Sequence, residues 1–243
     1  MAGRRARAPK VPRFYFNFRS PYSWLAYRDL LDRYPDVARA VEWHPWWDPD
    51  ESDERALREA GGSFSYVAMS RDKHLYLLQD VRRLARQRGL SVTWPVDEDP
   101  EWSVPHYAYF VALLAGKGPE YLERVHRARW LEGEDICDRK TVARLAEELG
   151  LPAERMATAA DDPALREGEG LPALLTQSRD GVFGVPFFIL GYEKFWGLDR
   201  LPAFVDAVRA RSGTPAGPAE PESGGPDFLT ARAGEQGHAG GCG

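Results

Sequence analysis

"FYFNFRSPYSWLAY", residues 14–27, decides the fold. Apolar residues alternate up to Phe18 and the chain then runs directly into Ser20-Pro21, after which a helix begins. Period-two alternation predicts a strand over 13–18. Pro21 suits the first position of a helix, where its missing N–H is not needed, and Ser20 before it has the hydroxyl of an N-cap. The helix is predicted from Pro21 to Tyr34, stopping before Pro35. The junction has two readings. Ser20 can simply cap the helix. Alternatively, a helix start with roughly half a positive charge and unpaired N–H donors can stabilise an anion. A thiolate carried by a bound cofactor is such an anion, and the Ser20 hydroxyl could donate to the sulfur and lower its pKa. The stretch itself contains no cysteine.

Working outward, "AVEWHPWW" (40–47) reads as a second strand, broken by Pro45. A long helical region follows. In "SRDKHLYLLQDVRRLARQRG", Leu75, Leu78, Val81 and Leu84/Ala85 recur at three- and four-residue steps, and Gly89 is the expected stop. "DRKTVARLAEELG" opens with a capping Asp138 and ends at Gly150. Strand signals return only at "VPFFILGYEKFWG", two runs around Gly191 that predict a hairpin. A last helix is predicted from about Asp199 to Arg211. The order is βαβ, then mostly helix, then ββα. This predicts a thioredoxin-like domain from 11–55 and 180–211, interrupted by a helical insertion over 56–179. Residues 1–10 read as a disordered basic arm. Residues 212–243, with nine Gly and four Pro, read as a disordered tail.

Composition narrows the function. The 243-residue chain has 43% hydrophobic and 28% charged residues, as expected of a globular protein. A net charge of −5 gives no basic footprint for nucleic acid. No stretch reads as a secretory signal or a membrane span, so a cytoplasmic protein is expected. Two cysteines, Cys137 and Cys242, form no C-x-x-C, and the five histidines show no metal-ligand spacing, so no metal is expected.

A Val-Pro at the head of a strand is unusual, because proline removes a ladder donor. A cis Val185–Pro186 bond would present the Val185 backbone to an extended ligand, and a trans edge proline is the alternative. Together, "FYFNFRSPYSWLAYRDL" and "GVFGVPFFILGYEKFWGLDRL", with "KHLYLLQDVRRLARQRGL" and "RARWLEGEDICD" between them, resemble the 2-hydroxychromene-2-carboxylate isomerases and kappa-class glutathione transferases over residues 13–210. That resemblance implies an α/β, DsbA-like thioredoxin fold with a large all-helical insertion, and a homodimer.

The resemblance also implies the site. Ser20 would hydrogen-bond the sulfur of glutathione, or of another low-molecular-weight thiol, so the reactive sulfur arrives with the cofactor. Lys73 would reach ligand carboxylates. Val185, before Pro186, would pair with the cysteinyl backbone, and Leu198 and Asp199 would hold the γ-glutamyl end. The bland alternatives are a solvated Lys73 and an Asp199 that N-caps the last helix. Tyr22, Trp46, Trp47 and Trp196, with Trp43, could build a pocket for a planar aromatic substrate, or they could be core. Three departures stand out: Leu198 replaces a Ser or Asn, Phe187 replaces a Thr, which is expected to narrow the pocket, and "EAGGSFSYVAMS" lacks the family's usual Asn before the lysine helix. The implied activity is a thiol-dependent isomerisation of a conjugated aromatic substrate. Glutathione conjugation and a non-catalytic thioredoxin-fold binder are the alternatives. Only five of the 32 basic residues are lysine, which hints at a GC-rich genome. That adds the reading of a tailoring isomerase of aromatic natural-product biosynthesis.

Overall fold

The structure, a computed structural model, describes residues 11–213. The basic arm and all but the first two residues of the Gly/Pro-rich tail lie outside the described residues. Arg13–Phe16 forms β1 at the centre of a four-stranded sheet of order β2-β1-β3-β4. β2 (Glu42–Pro45) runs parallel to β1; β3 (Phe187–Leu190) pairs antiparallel with β1, and β4 (Glu193–Trp196) antiparallel with β3. The helices are α1 (Pro21–Asp32), α2 (Pro35–Ala40), α3 (Glu51–Glu59), α4 (Arg71–Gln87), α5 (Ser103–Leu114), α6 (Gly118–Arg127), α7 (Arg139–Glu148), α8 (Ala153–Ala157), α9 (Pro163–Leu165), α10 (Leu171–Asp180) and α11 (Leu201–Ser212). This is a DsbA-like thioredoxin fold in which one βα crossover and one ββα unit flank a run of helices.

The strands are shorter than their alternation predicts, for local reasons. Asn17 ends β1: its Oδ1 accepts from the Arg19 N–H at 2.5 Å, and its C=O accepts from the Ser20 N–H at 3.3 Å. Such side-chain and main-chain turns compete with the ladder. Ala40 is helical because Pro35 starts the short α2. After a hydrogen bond from the Trp46 N–H to the Phe16 C=O (2.7 Å), Trp46 and Trp47 leave the sheet. The helix expected up to Tyr34 stops at Asp32, and α11 begins two residues later than expected. α7 matches its signals, with Asp138 accepting from the Lys140 N–H and Gly150 at φ 65°.

On α4 the buried line is Leu77, Val81 and Ala85, whereas Leu75, expected inside, is 47% exposed. The helix meets the body along a narrow stripe, and an adjacent face borders open space.

Phe188 lies between Phe14 (4.8 Å) and Phe204 (4.9 Å), which joins the sheet to α11. Phe16 and Phe18 pack edge-on against Tyr109 (5.4 and 6.1 Å), so one core runs from the sheet into the helical segment. A smaller cluster of Tyr15, Trp46, Val182, Val185, Phe187 and Ile189 covers the sheet's other face.

Two histidines are fully enclosed at this junction. His126 lies 5.0 Å from Tyr27 and 5.4 Å from Phe18, and His106 lies 4.9 Å from Phe18. Burial lowers both pKa values to about 3, and for His126 the neighbouring His106 lowers it further. Each is therefore neutral in the native state, whereas an unfolded histidine takes up a proton below about pH 6.5. Their contribution to stability is complete above that pH and is lost as pH falls toward 3. Urea unfolding between pH 6 and 4 should show stability declining by about 1.4 kcal/mol per pH unit for each histidine. In His126→Phe the slope should be shallower by about one such increment; an unchanged slope would contradict a neutral buried His126.

Candidate active site at the sheet edge

Strand register gathers the site. Tyr15 of β1 faces Phe187 of β3, and Phe187 in turn faces Trp196 of β4. With β3 antiparallel to both neighbours, the end of β1, the start of β3 and the end of β4 share one edge. The segments that leave this edge are Asn17–Ser20, Val185–Pro186 and Gly197–Arg200. The Pro186 C=O accepts from the Gly197 N–H at 2.9 Å and ties the last two together.

Ser20 caps α1. Its Oγ accepts from the Ser23 N–H at 3.2 Å, and its C=O accepts from the Trp24 N–H at 3.1 Å. A hydroxyl that accepts from the backbone still has its own O–H to donate. Ser20 is 1% exposed, and the first turn of α1 carries no acidic residue to offset the helix dipole. The Val185–Pro186 bond is cis.

Beside these segments is a cavity of about 600 Å³ between α1, α4 and the 185–202 region. Tyr22, Val185, Pro186, Trp196, Leu198 and Asp199 line it, so it brings together six of the residues singled out in the sequence. Ser20 and Lys73 are not on its wall. Lys73 is exposed in the first turn of α4, one turn before the lining residues of that helix. Asp199 does not cap α11, whose start has no side-chain cap; its carboxylate pairs with Arg200 at 3.0 Å and is 72% exposed. Gly197 at φ 101° makes room for it, since a Cβ there would lie 2.6 Å from Asp199 Oδ1.

The tryptophan pair lies elsewhere. Trp46 packs on Phe64 (5.1 Å) in the cluster with Val185, and Trp47 stacks on His106 (5.8 Å). Once past Pro45 the chain enters the space between sheet and helices, where both indoles are covered. Trp43 lines a separate cleft with Tyr27 and Tyr109. Phe187 does not narrow the cavity. It is 1% exposed and packs edge-on against Phe183 at 5.3 Å.

Sequence reasoning missed the opposite wall. Tyr76, Asp80 and Leu84 of α4 and its C-cap Arg88 follow at four-residue steps and all line the cavity. Asp80 accepts from the Tyr22 O–H at 2.9 Å, and Arg88 holds Asp29 of α1 bidentately at 2.8 and 2.6 Å. The four-residue spacing was visible, but its mixed polarity hid it from a search for an apolar stripe. Three aspartates (29, 80 and 199) and three arginines (33, 88 and 200) share the wall with Tyr22, Tyr34, Tyr76 and Trp196. Cys137 is not a source of reactive sulfur: it is buried in the helical segment, and burial pushes its thiol pKa up.

This arrangement defines a thioredoxin-fold protein with a serine at the start of the first helix, a cis proline at the same sheet edge and a large adjoining cavity. The chain belongs to the DSBA-like thioredoxin domain family, whose model matches residues 13–209. Among curated proteins it is 28% identical over 196 residues to a 2-hydroxychromene-2-carboxylate isomerase of Sphingobium xenophagum, covering 77% of this chain and 92% of that protein. It is 23% identical over 209 residues to human glutathione S-transferase kappa 1, covering 79% and 88%. Among solved structures, a 2-hydroxychromene-2-carboxylate isomerase superposes with a TM-score of 0.64 at 24% identity, over 84% of this chain and 98% of that one. The isomerase and kappa-class resemblance carried by the sequence motifs is thus found in comparisons that cover 77–84% of the chain.

The backbone of the 197–199 turn should be sensitive to a single methyl group. Gly197→Ala places a side chain in a conformation essentially reserved for glycine and against Asp199, at a cost of about 1–3 kcal/mol in denaturant unfolding. Gly61→Ala, also at positive φ (81°) but with open space around it, should cost less; equal losses would show that the contact with Asp199 is immaterial.

Proposed function

We propose that this protein is a thiol-dependent isomerase that uses glutathione to rearrange a small, conjugated aromatic substrate. The observation that carries the reading is the aromatic-walled cavity that Tyr22, Pro186, Trp196 and Asp199 line, next to the start of α1 that Ser20 caps. Family membership and the isomerase relatives support it.

The residues present fit glutathione. The cavity, about 600 Å³, can take a tripeptide, and the Arg200–Asp199 pair at its mouth, both side chains exposed, offers a cation to a ligand carboxylate and an acceptor to an ammonium group. The Val185 backbone would pair with the peptide, with Leu198 beside it. When bound, glutathione supplies a nucleophilic sulfur that adds reversibly to an electron-poor carbon, so that a double bond is transiently single and can rotate.

The chain's own contribution is to make the sulfur anionic and to hold the ring. Ser20 would donate its O–H to the sulfur, and the α1 terminus would add the favourable field of its unpaired N–H groups. A hydrogen bond to a charged group is worth about 1.5–3 kcal/mol, or roughly one to two pKa units. Tyr22, held by Asp80, would present one face to a planar substrate, with Trp196 and Tyr76 lining the same cavity. The human kappa-class relative favours conjugation as the second reading. The two are separated by product mass, since an isomerase returns the thiol and a transferase retains it in the product.

Glutathione binding is tested by thermal unfolding with and without millimolar ligand. Ligand at a hundredfold excess over Kd adds about 2.7 kcal/mol to native stability, so Tm should rise with concentration. Asp199→Asn should reduce the rise, and no rise at any concentration would overturn the proposal.

A further inference from the structure

The loop that presents Ser20 contains a buried donor with an unusual partner. Phe18 is fully buried just beyond β1, so its N–H has no neighbouring strand to pair with and no water to reach. A buried N–H of this kind needs an acceptor. The acceptor is a side chain from the helical segment: the Phe18 N–H points to His106 Nε2 at 3.4 Å, a long hydrogen bond. The other ring nitrogen settles the tautomer. His106 Nδ1 lies 2.6 Å from the Trp102 C=O, which can only accept, so Nδ1 carries the proton and Nε2 is left with its lone pair. Packing locks the ring in place. Trp47 stacks on it at 5.8 Å, and the Phe18 ring lies 4.9 Å away.

Two residues further on, the Ser20 N–H bonds back to the Asn17 C=O, so one tight turn, in which Arg19 pairs with Asp48, links the Phe18 N–H to Ser20. We infer that His106 is a positioning residue for Ser20: the helical segment, through one neutral imidazole, sets where the hydroxyl at the head of α1 sits. The inference uses the proposed thiol chemistry only for its consequence, because the hydrogen bonds belong to the protein alone. It also assigns the helical segment a part in the site beyond walling the cavity.

The test compares His106→Leu, which keeps a comparable apolar volume without an acceptor, with His106→Gln, whose side-chain oxygen can reach the Nε2 position. Residue-resolved amide exchange by NMR reads the bond directly. In His106→Leu the Phe18 amide should lose about tenfold or more of its protection relative to Phe14 and Tyr15 in β1, which report on the sheet. His106→Gln should restore it. A fall shared equally by Phe14, Tyr15 and Phe18 would reduce His106 to a packing residue, and an unchanged Phe18 amide would refute the bond. Glutathione affinity from the same variants supplies the functional arm: weaker binding in the leucine variant and recovery in the glutamine variant are expected. If the wild type fails to bind glutathione, the functional proposal falls, while the exchange comparison still decides the role of His106.

Discussion

The antiparallel pairing of β1 with β3 is the constraint on which the site depends. Tyr15 against Phe187, and Phe187 against Trp196, place three chain segments from opposite ends of the sequence at one edge of the sheet. A slip of one residue would turn every side chain of β3 to the other face. Phe188 would then leave its place between Phe14 and Phe204, and the start of β3 would shift relative to Ser20. The aromatic stack in the core thus fixes the register, and the register fixes the geometry of the site.

Electrostatics adds the chemistry. The start of α1 has an N-cap hydroxyl, a proline and no acidic residue in its first turn, so its positive end is unopposed. Across the cavity, charge is balanced: Asp29 is held by Arg88, Asp80 by Tyr22 and Arg83, and Asp199 by Arg200. The Arg88–Asp29 and Tyr22–Asp80 contacts join α1 to α4, and the unopposed helix terminus is the local feature that favours a thiolate. The start of α1 carries no cysteine, and Cys137, the cysteine among the described residues, is too buried to substitute.

Much of this was legible in the sequence where local chemistry dominates. Ser20-Pro21 marks a helix start whatever surrounds it, and Val185-Pro186 at the head of an apolar run announces a special backbone. The hairpin at Gly191 and the cap at Asp138 follow from single-residue preferences in the same way. The tryptophan-rich stretch was not legible, because burial is decided by what packs above a residue. Trp46 and Trp47 are adjacent, yet one belongs beneath Val185 and the other against His106 of α5. The α4 wall escaped for a different reason. A stripe of Tyr76, Asp80, Leu84 and Arg88 has no apolar moment, and only the position of α1 shows that the stripe faces something.

The measurement that reaches the central claim most directly is the titration of the thiol of bound glutathione, followed by its ultraviolet thiolate absorption. A free thiol of this kind titrates near pH 8.5. With saturating protein the transition should move to lower pH, and in Ser20→Ala it should move back up by about one to two units while glutathione remains bound. A bound thiol that titrates identically in both proteins would contradict the account, because Ser20 at the head of α1 would then do nothing for the sulfur.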